Sequence, residues 1–114
     1  MRKQIDIYVT IIITLFLSIA MLWPIKEQIP GPEFSDKLIH ILGFGALAFP
    51  LAQTKRFSIL YLFLVASIFG GIIEIIQPSF GRSAEIGDWL ADTIGVIMGI
   101  AAGLFYRWVW REKF

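Results

Sequence analysis

Four apolar runs separated by turn-forming residues constrain this chain more than any other feature: 7–23, 36–52, 57–77 and 86–106. A bilayer core of roughly 30 Å takes about 20 helical residues, so each run approaches the length of one crossing. Backbone amides in lipid must find partners within the chain, which selects helices over open strands. The separators carry turn chemistry: Pro24, Pro30 and Pro32, then Gln53-Thr54-Lys55-Arg56, then a loop over 78–85 that opens on Pro78 and holds Gly81, Arg82 and Ser83. With 114 residues of which 57% are hydrophobic and 17% charged, the chain has more apolar surface than a soluble domain this small can hide. The expected fold is an all-α integral membrane four-helix bundle of two antiparallel hairpins, one domain over 1–114, with the lipid bilayer as its solvent.

Ten Lys plus Arg against nine Asp plus Glu give a net charge of +1, which leaves no basic face for nucleic acid. The absence of cysteine removes disulfides, thiolate zinc sites and cysteine nucleophiles. With the N-terminus in the cytoplasm, Arg2, Lys3, Lys55, Arg56, Arg107, Arg111 and Lys113 lie inside and Lys26, Lys37 and Arg82 outside. The positive-inside rule favours that topology, with both termini cytoplasmic. Trp23, Trp108 and Trp110 fall near helix ends, where indole prefers the headgroup layer. Met1-Arg2-Lys3 ahead of an apolar run, with Ser18 and Ala20 at a cleavage-like spacing, also fits a secretory signal peptide. The run exceeds a usual signal core in length, which favours a retained first helix.

The few polar residues inside the runs are patterned. Asp36 and His40 are four apart and share a helix face, which Gly43 continues. Glu74 and Gln77 are three apart, with Gly70 and Gly71 a turn earlier on the same side. Asp88 and Asp92 repeat the four-residue spacing and are followed by Gly95, Gly99 and Gly103, a small-xxx-small series that lets backbones approach closely. All these acid-bearing ends fall on one side of the membrane and should converge. Four crowded carboxylates, Asp36, Glu74, Asp88 and Asp92, need balancing positive charge in low dielectric. A proton, a divalent cation, His40 as imidazolium, Arg82 from the loop or a cationic ligand would supply it. Ionisable groups in membrane segments point to function by default. Taken singly, each also has a structural reading. Glu74 lies four residues before Pro78 and so near the interface, and Ser35 or Asp36 suits a helix cap. Asp36, His40 and Gly43 recur as Asp88, Asp92 and Gly95 at an offset of 52, an echo that would relate the two hairpins by a pseudo-two-fold axis along the membrane normal.

Asp-Lys-Leu-Ile-His at 36–40, Glu-Ile-Ile-Gln at 74–77, Gly-Arg-Ser at 81–83 and Asp-Trp-Leu-Ala-Asp at 88–92, followed by Thr-Ile-Gly, resemble in order and spacing the VanZ-like family of small bacterial membrane proteins. The resemblance covers 34–103. It implies a multi-pass protein of the bacterial cytoplasmic membrane, and a link to teicoplanin resistance through the founding member. By position, Asp36, His40, Glu74, Gln77, Arg82 and Asp88 look like the family's signature residues; Asp92 stands where members usually carry Asn.

Two functions follow as expectations. In one, an extracytoplasmic polar site of Asp36, His40, Glu74, Gln77, Arg82, Asp88 and Asp92 binds a lipid-linked cell-wall precursor, a lipid headgroup or the glycopeptide, with Arg82 on a phosphate or carboxylate. In the other, an intramembrane enzyme acts on a lipid-linked phosphate or amide, with His40 as general acid or base, Asp36 or Glu74 orienting it and Arg82 stabilising charge. A divalent cation suits one imidazole with carboxylates by ligand type, and one histidine makes the zinc case weak. A third reading makes the chain a packing subunit, of a homo-oligomer or of a larger complex.

Overall fold

The computed structural model describes residues 4–22, 33–80 and 86–110, without the side chains of 33–36 and 80. The described residues form four helices, α1 (Ile5–Leu22), α2 (Glu33–Thr54), α3 (Ile59–Ile76) and α4 (Ile86–Trp110), and a 3-10 turn over Gln77–Phe80 that closes α3. Three of the helices, α1, α3 with its closing turn, and α4, are long and apolar enough to cross a membrane. Their outward surfaces agree, since Ile12, Leu15 and Phe16 on α1, Leu60 and Ile75 on α3, and Ile97, Met98 and Phe105 on α4 are all exposed. Such a surface is stable only against lipid or another apolar partner.

Helix α2 carries more polar residues than the other three and is also central, packing against each of them. Its side chains Phe44, Leu47, Ala48 and Leu51 form the middle of the core, with Leu17 and Met21 from α1, Leu62, Ala66 and Ile73 from α3, and Val96 and Ile100 from α4. Consecutive helices run antiparallel, while α2 and α4, which are not neighbours in sequence, lie side by side and parallel. The glycine series explains that pairing. A Cβ on Gly95 would overlap the Ile41 carbonyl, one on Gly99 would overlap the Gly45 carbonyl, and one on Gly103 would come within 2.8 Å of the Phe49 oxygen. Glycine at every fourth position removes the side chains that would hold the two backbones apart.

The helix bounds differ from the sequence expectation in two places that matter. Helix α1 begins at Ile5, two residues early, which takes Asp6 into its first turn. Helix α2 begins at Glu33, so Ser35 and Asp36 lie inside its first turn rather than at a cap. The far end of α2 is closed by Lys55, whose φ of 54° is left-handed, a common way to stop a helix though costly for a residue with a Cβ. Arg107 donates to the Gln53 and Thr54 carbonyls at 3.3 Å, satisfying two acceptors that a helix end leaves orphaned. Ser58 then caps α3, its hydroxyl accepting from the Tyr61 amide at 3.1 Å. Trp108 is well exposed and Trp110 partly so at the end of α4, as expected of interfacial indoles; Trp23 lies outside the described residues.

The 52-residue echo holds in part. Helices α2 and α4 do run in one direction, and His40 meets Asp92 across them. Gly43, however, lies against Leu17 of α1, whereas its counterpart Gly95 lies against Ile41 of α2. Among the described residues α1 also makes no contact with α4, although α3, its counterpart, does contact α2. The two hairpins are therefore not equivalent, and Gly43 does not continue the face of His40 toward α4.

Candidate functional site

The close approach of α2 and α4 lets short side chains reach across. His40 on α2 and Asp92 on α4, 2% and 0% exposed, meet with Nδ1 and Oδ1 at 2.6 Å, the length of a charge-assisted bond. One turn nearer the helix starts, Asp88 sets Oδ2 at 4.0 Å from His40 Nε2 and accepts from Lys37 Nζ through Oδ1 at 3.3 Å. The imidazole thus has an aspartate facing each nitrogen. Lys37 does not turn outward to solvent alone: its stem lies over Gly87, where a Cβ would stand 3.1 Å from Lys37 Cε.

Helix α3 brings up the third side. A Cβ on Gly70 would stand 3.1 Å from Asp92 Oδ2 and 3.2 Å from the Phe44 ring, so the missing side chain gives the carboxylate its space. Glu74, one turn on, is buried. The Trp89 indole sits over Gly71 and donates to the Ser67 carbonyl at 3.0 Å. That bond fixes the rotation of α4, since Trp89 lies between Asp88 and Asp92 in sequence. Gln77 is used differently: its amide donates to the Met21 carbonyl at 3.1 Å, closing the end of α1, and its Oε1 is buried without a hydrogen-bond partner.

His40, Asp88, Asp92, Glu74 and Gln77 therefore lie at one end of the bundle, on three different helices and the turn that follows the third. Arg82 and the side chain of Asp36 fall outside the described residues. Lys37 and Trp89 join the cluster although the sequence reading gave them no role there. Their spacing held a signal, because Lys37 is three residues before His40 and Trp89 is flanked by the two aspartates. Among the described residues no group of three or more His, Asp or Glu is disposed to hold a metal ion.

The opposite end contains a second polar group that the sequence reading did not use. Asp6, buried, accepts from Arg56 Nε at 2.8 Å and Nη2 at 2.9 Å, and from the Thr54 hydroxyl at 2.7 Å. The fork of two parallel bonds is the strong form of an arginine-carboxylate pair. Hydrogen-bonded to that carboxylate, the Arg56 guanidinium is held above its ordinary pKa.

A family model described as VanZ/LLP1 matches residues 3–109 of the chain. No curated protein and no solved structure matches it.

Proposed function

The chain belongs to the VanZ/LLP1 family, and from that premise we propose that it is a bacterial envelope protein that binds a polar ligand at the His40 end of its bundle. The observation that carries this reading is the His40–Asp92 pair, buried at 2.6 Å inside a helical bundle whose outer surface is rich in exposed apolar side chains. Polar groups at such a position are expensive and are retained where they serve a purpose. In this reading the termini are cytoplasmic and the polar end faces the extracytoplasmic side of the plasma membrane. The ligand is a lipid-linked cell-wall precursor, a lipid headgroup or the glycopeptide teicoplanin. Arg82 pairs with its phosphate or carboxylate, and Asp36, Glu74 and Asp88 take its amines or hydroxyls. In a susceptible host, Glu74→Gln or Arg82→Ala abolishes teicoplanin protection while membrane levels stay unchanged. Unaltered protection in both would overturn the assignment.

One observation favours an enzymatic variant. With Nδ1 held by Asp92, the imidazole ring is fixed with Nε2 toward Asp88, and a ring oriented through one nitrogen is what a general acid or base requires. Asp92, rather than Asp36 or Glu74, is then the orienting partner. The substrate would be a lipid-linked phosphate or amide. Purified protein given a polyprenyl pyrophosphate should release phosphate, and His40→Ala should not; absence of turnover in the unaltered protein removes this variant.

A further inference from the structure

Four ionisable groups at the polar end fall in a line of decreasing exposure. Lys37 is 33% exposed, Asp88 7%, His40 2% and Asp92 0% at the side chain. The links are Lys37 Nζ to Asp88 Oδ1 at 3.3 Å, Asp88 Oδ2 to His40 Nε2 at 4.0 Å, and His40 Nδ1 to Asp92 Oδ1 at 2.6 Å. Asp88 uses a separate oxygen for each of its two neighbours, and the imidazole has one nitrogen toward each aspartate. The two middle members, Asp88 and His40, thus have the arrangement of a relay, with one atom toward each neighbour.

We propose that this line is a proton path from the exposed end of the bundle to its interior, with the His40–Asp92 pair as the proton-binding site. A hydronium ion at the exposed end gives its proton to the Asp88 carboxylate, which Lys37 holds in place, the resulting acid gives it to His40 Nε2, and the restored carboxylate is again paired with the Lys37 ammonium. The imidazolium so formed donates a hydrogen bond from Nδ1 to the Asp92 carboxylate, and one proton has moved from hydronium to the core, leaving water outside. The 4.0 Å link exceeds a hydrogen bond, so the transfer requires the Asp88 carboxylate to move toward Nε2. The groups that meet the imidazole are Asp88 and Asp92, both on α4, with Lys37 of α2 behind Asp88; on α3 the buried Glu74 lies one turn from Gly70, which stands against Asp92. With His40 protonated, Asp88 and Asp92 are matched by Lys37 and the imidazolium, which lowers the cost of burying them. The inference goes beyond ligand binding and does not depend on it.

The chain has one histidine, so histidine-selective 15N labelling of the full-length protein in lipid nanodiscs reads His40 alone. The His40 ring protons should exchange with water, and Asp88→Asn should slow that exchange about a hundredfold, the low end of what a positioned acid-base group contributes. The Nδ1 signal that reports the Asp92 bond should be unchanged in that variant and should move in Asp92→Asn. Lys37→Met, at a partly exposed position, slows exchange by a smaller factor and carries the test if Asp88→Asn does not fold. Exchange unaffected by either change, or an Nδ1 signal insensitive to Asp92→Asn, overturns the path. Teicoplanin protection does not enter this readout, so failure of the binding assignment and failure of the path are separately visible.

Discussion

Each end of the bundle buries an acid, and the two are treated in opposite ways. Asp6 receives three donors, two from Arg56 and one from Thr54, and its charge is answered by a guanidinium that reaches it from the turn between α2 and α3. Asp92 is deeper, its partner is an imidazole, and a second aspartate stands at that imidazole's other nitrogen. The first arrangement closes on itself and ties the start of α1 to the end of α2. The second is poised, because its charge balance changes with a single proton. A group that only holds helices together has no need of that property, and the difference separates a clamp from a candidate site.

The largest expected effect is at the poised end. His40→Ala strands the Asp92 carboxylate in the core and should cost about 3–5 kcal/mol of stability. His40→Leu combined with Asp92→Leu should recover most of that loss while removing teicoplanin protection, because an apolar pair replaces an ion pair at little net cost. Thermal unfolding in detergent measures both, and a double variant no more stable than the single would make the pair structural. A smaller effect, shared by both ends, follows from the helix pairing between them. Gly99→Leu drives a side chain into the Gly45 carbonyl and should cost about 1–3 kcal/mol, with loss of the His40 Nδ1 signal as α4 moves away. The smallest belongs to the clamp. Asp6→Asn should lower the unfolding midpoint by less than either, because Arg56 stays in contact with water, and the difference should shrink in high salt. Protection should persist in Asp6→Asn; its loss would mean that the two ends are coupled.

Much of this architecture is legible in the sequence. Period and length yield four helices, and the four-residue glycine spacing announces a face where backbones meet. What spacing cannot reveal is which helix a face meets. Gly43 shares a stripe with His40 by arithmetic yet packs on Leu17, because α1 and α4 lie on different sides of α2. Asp6 escaped notice because its helix begins two residues earlier than hydropathy suggests, and its partner lies 50 residues away. Lys37 entered only the count of outer charges, since nothing local shows Asp88 on the neighbouring helix.

By itself, the sequence determined the solvent of this protein, the number of its helices and the set of residues too polar to face lipid, because these follow from local composition and from periods of three and four. Only the tertiary structure decided that α2 and α4 are the pair in parallel contact, that the histidine takes Asp92 as its partner, and that the acid at the far end is spent on a clamp. Those outcomes depend on where glycine lets two backbones come within reach of a short side chain, and that is a property of two helices together.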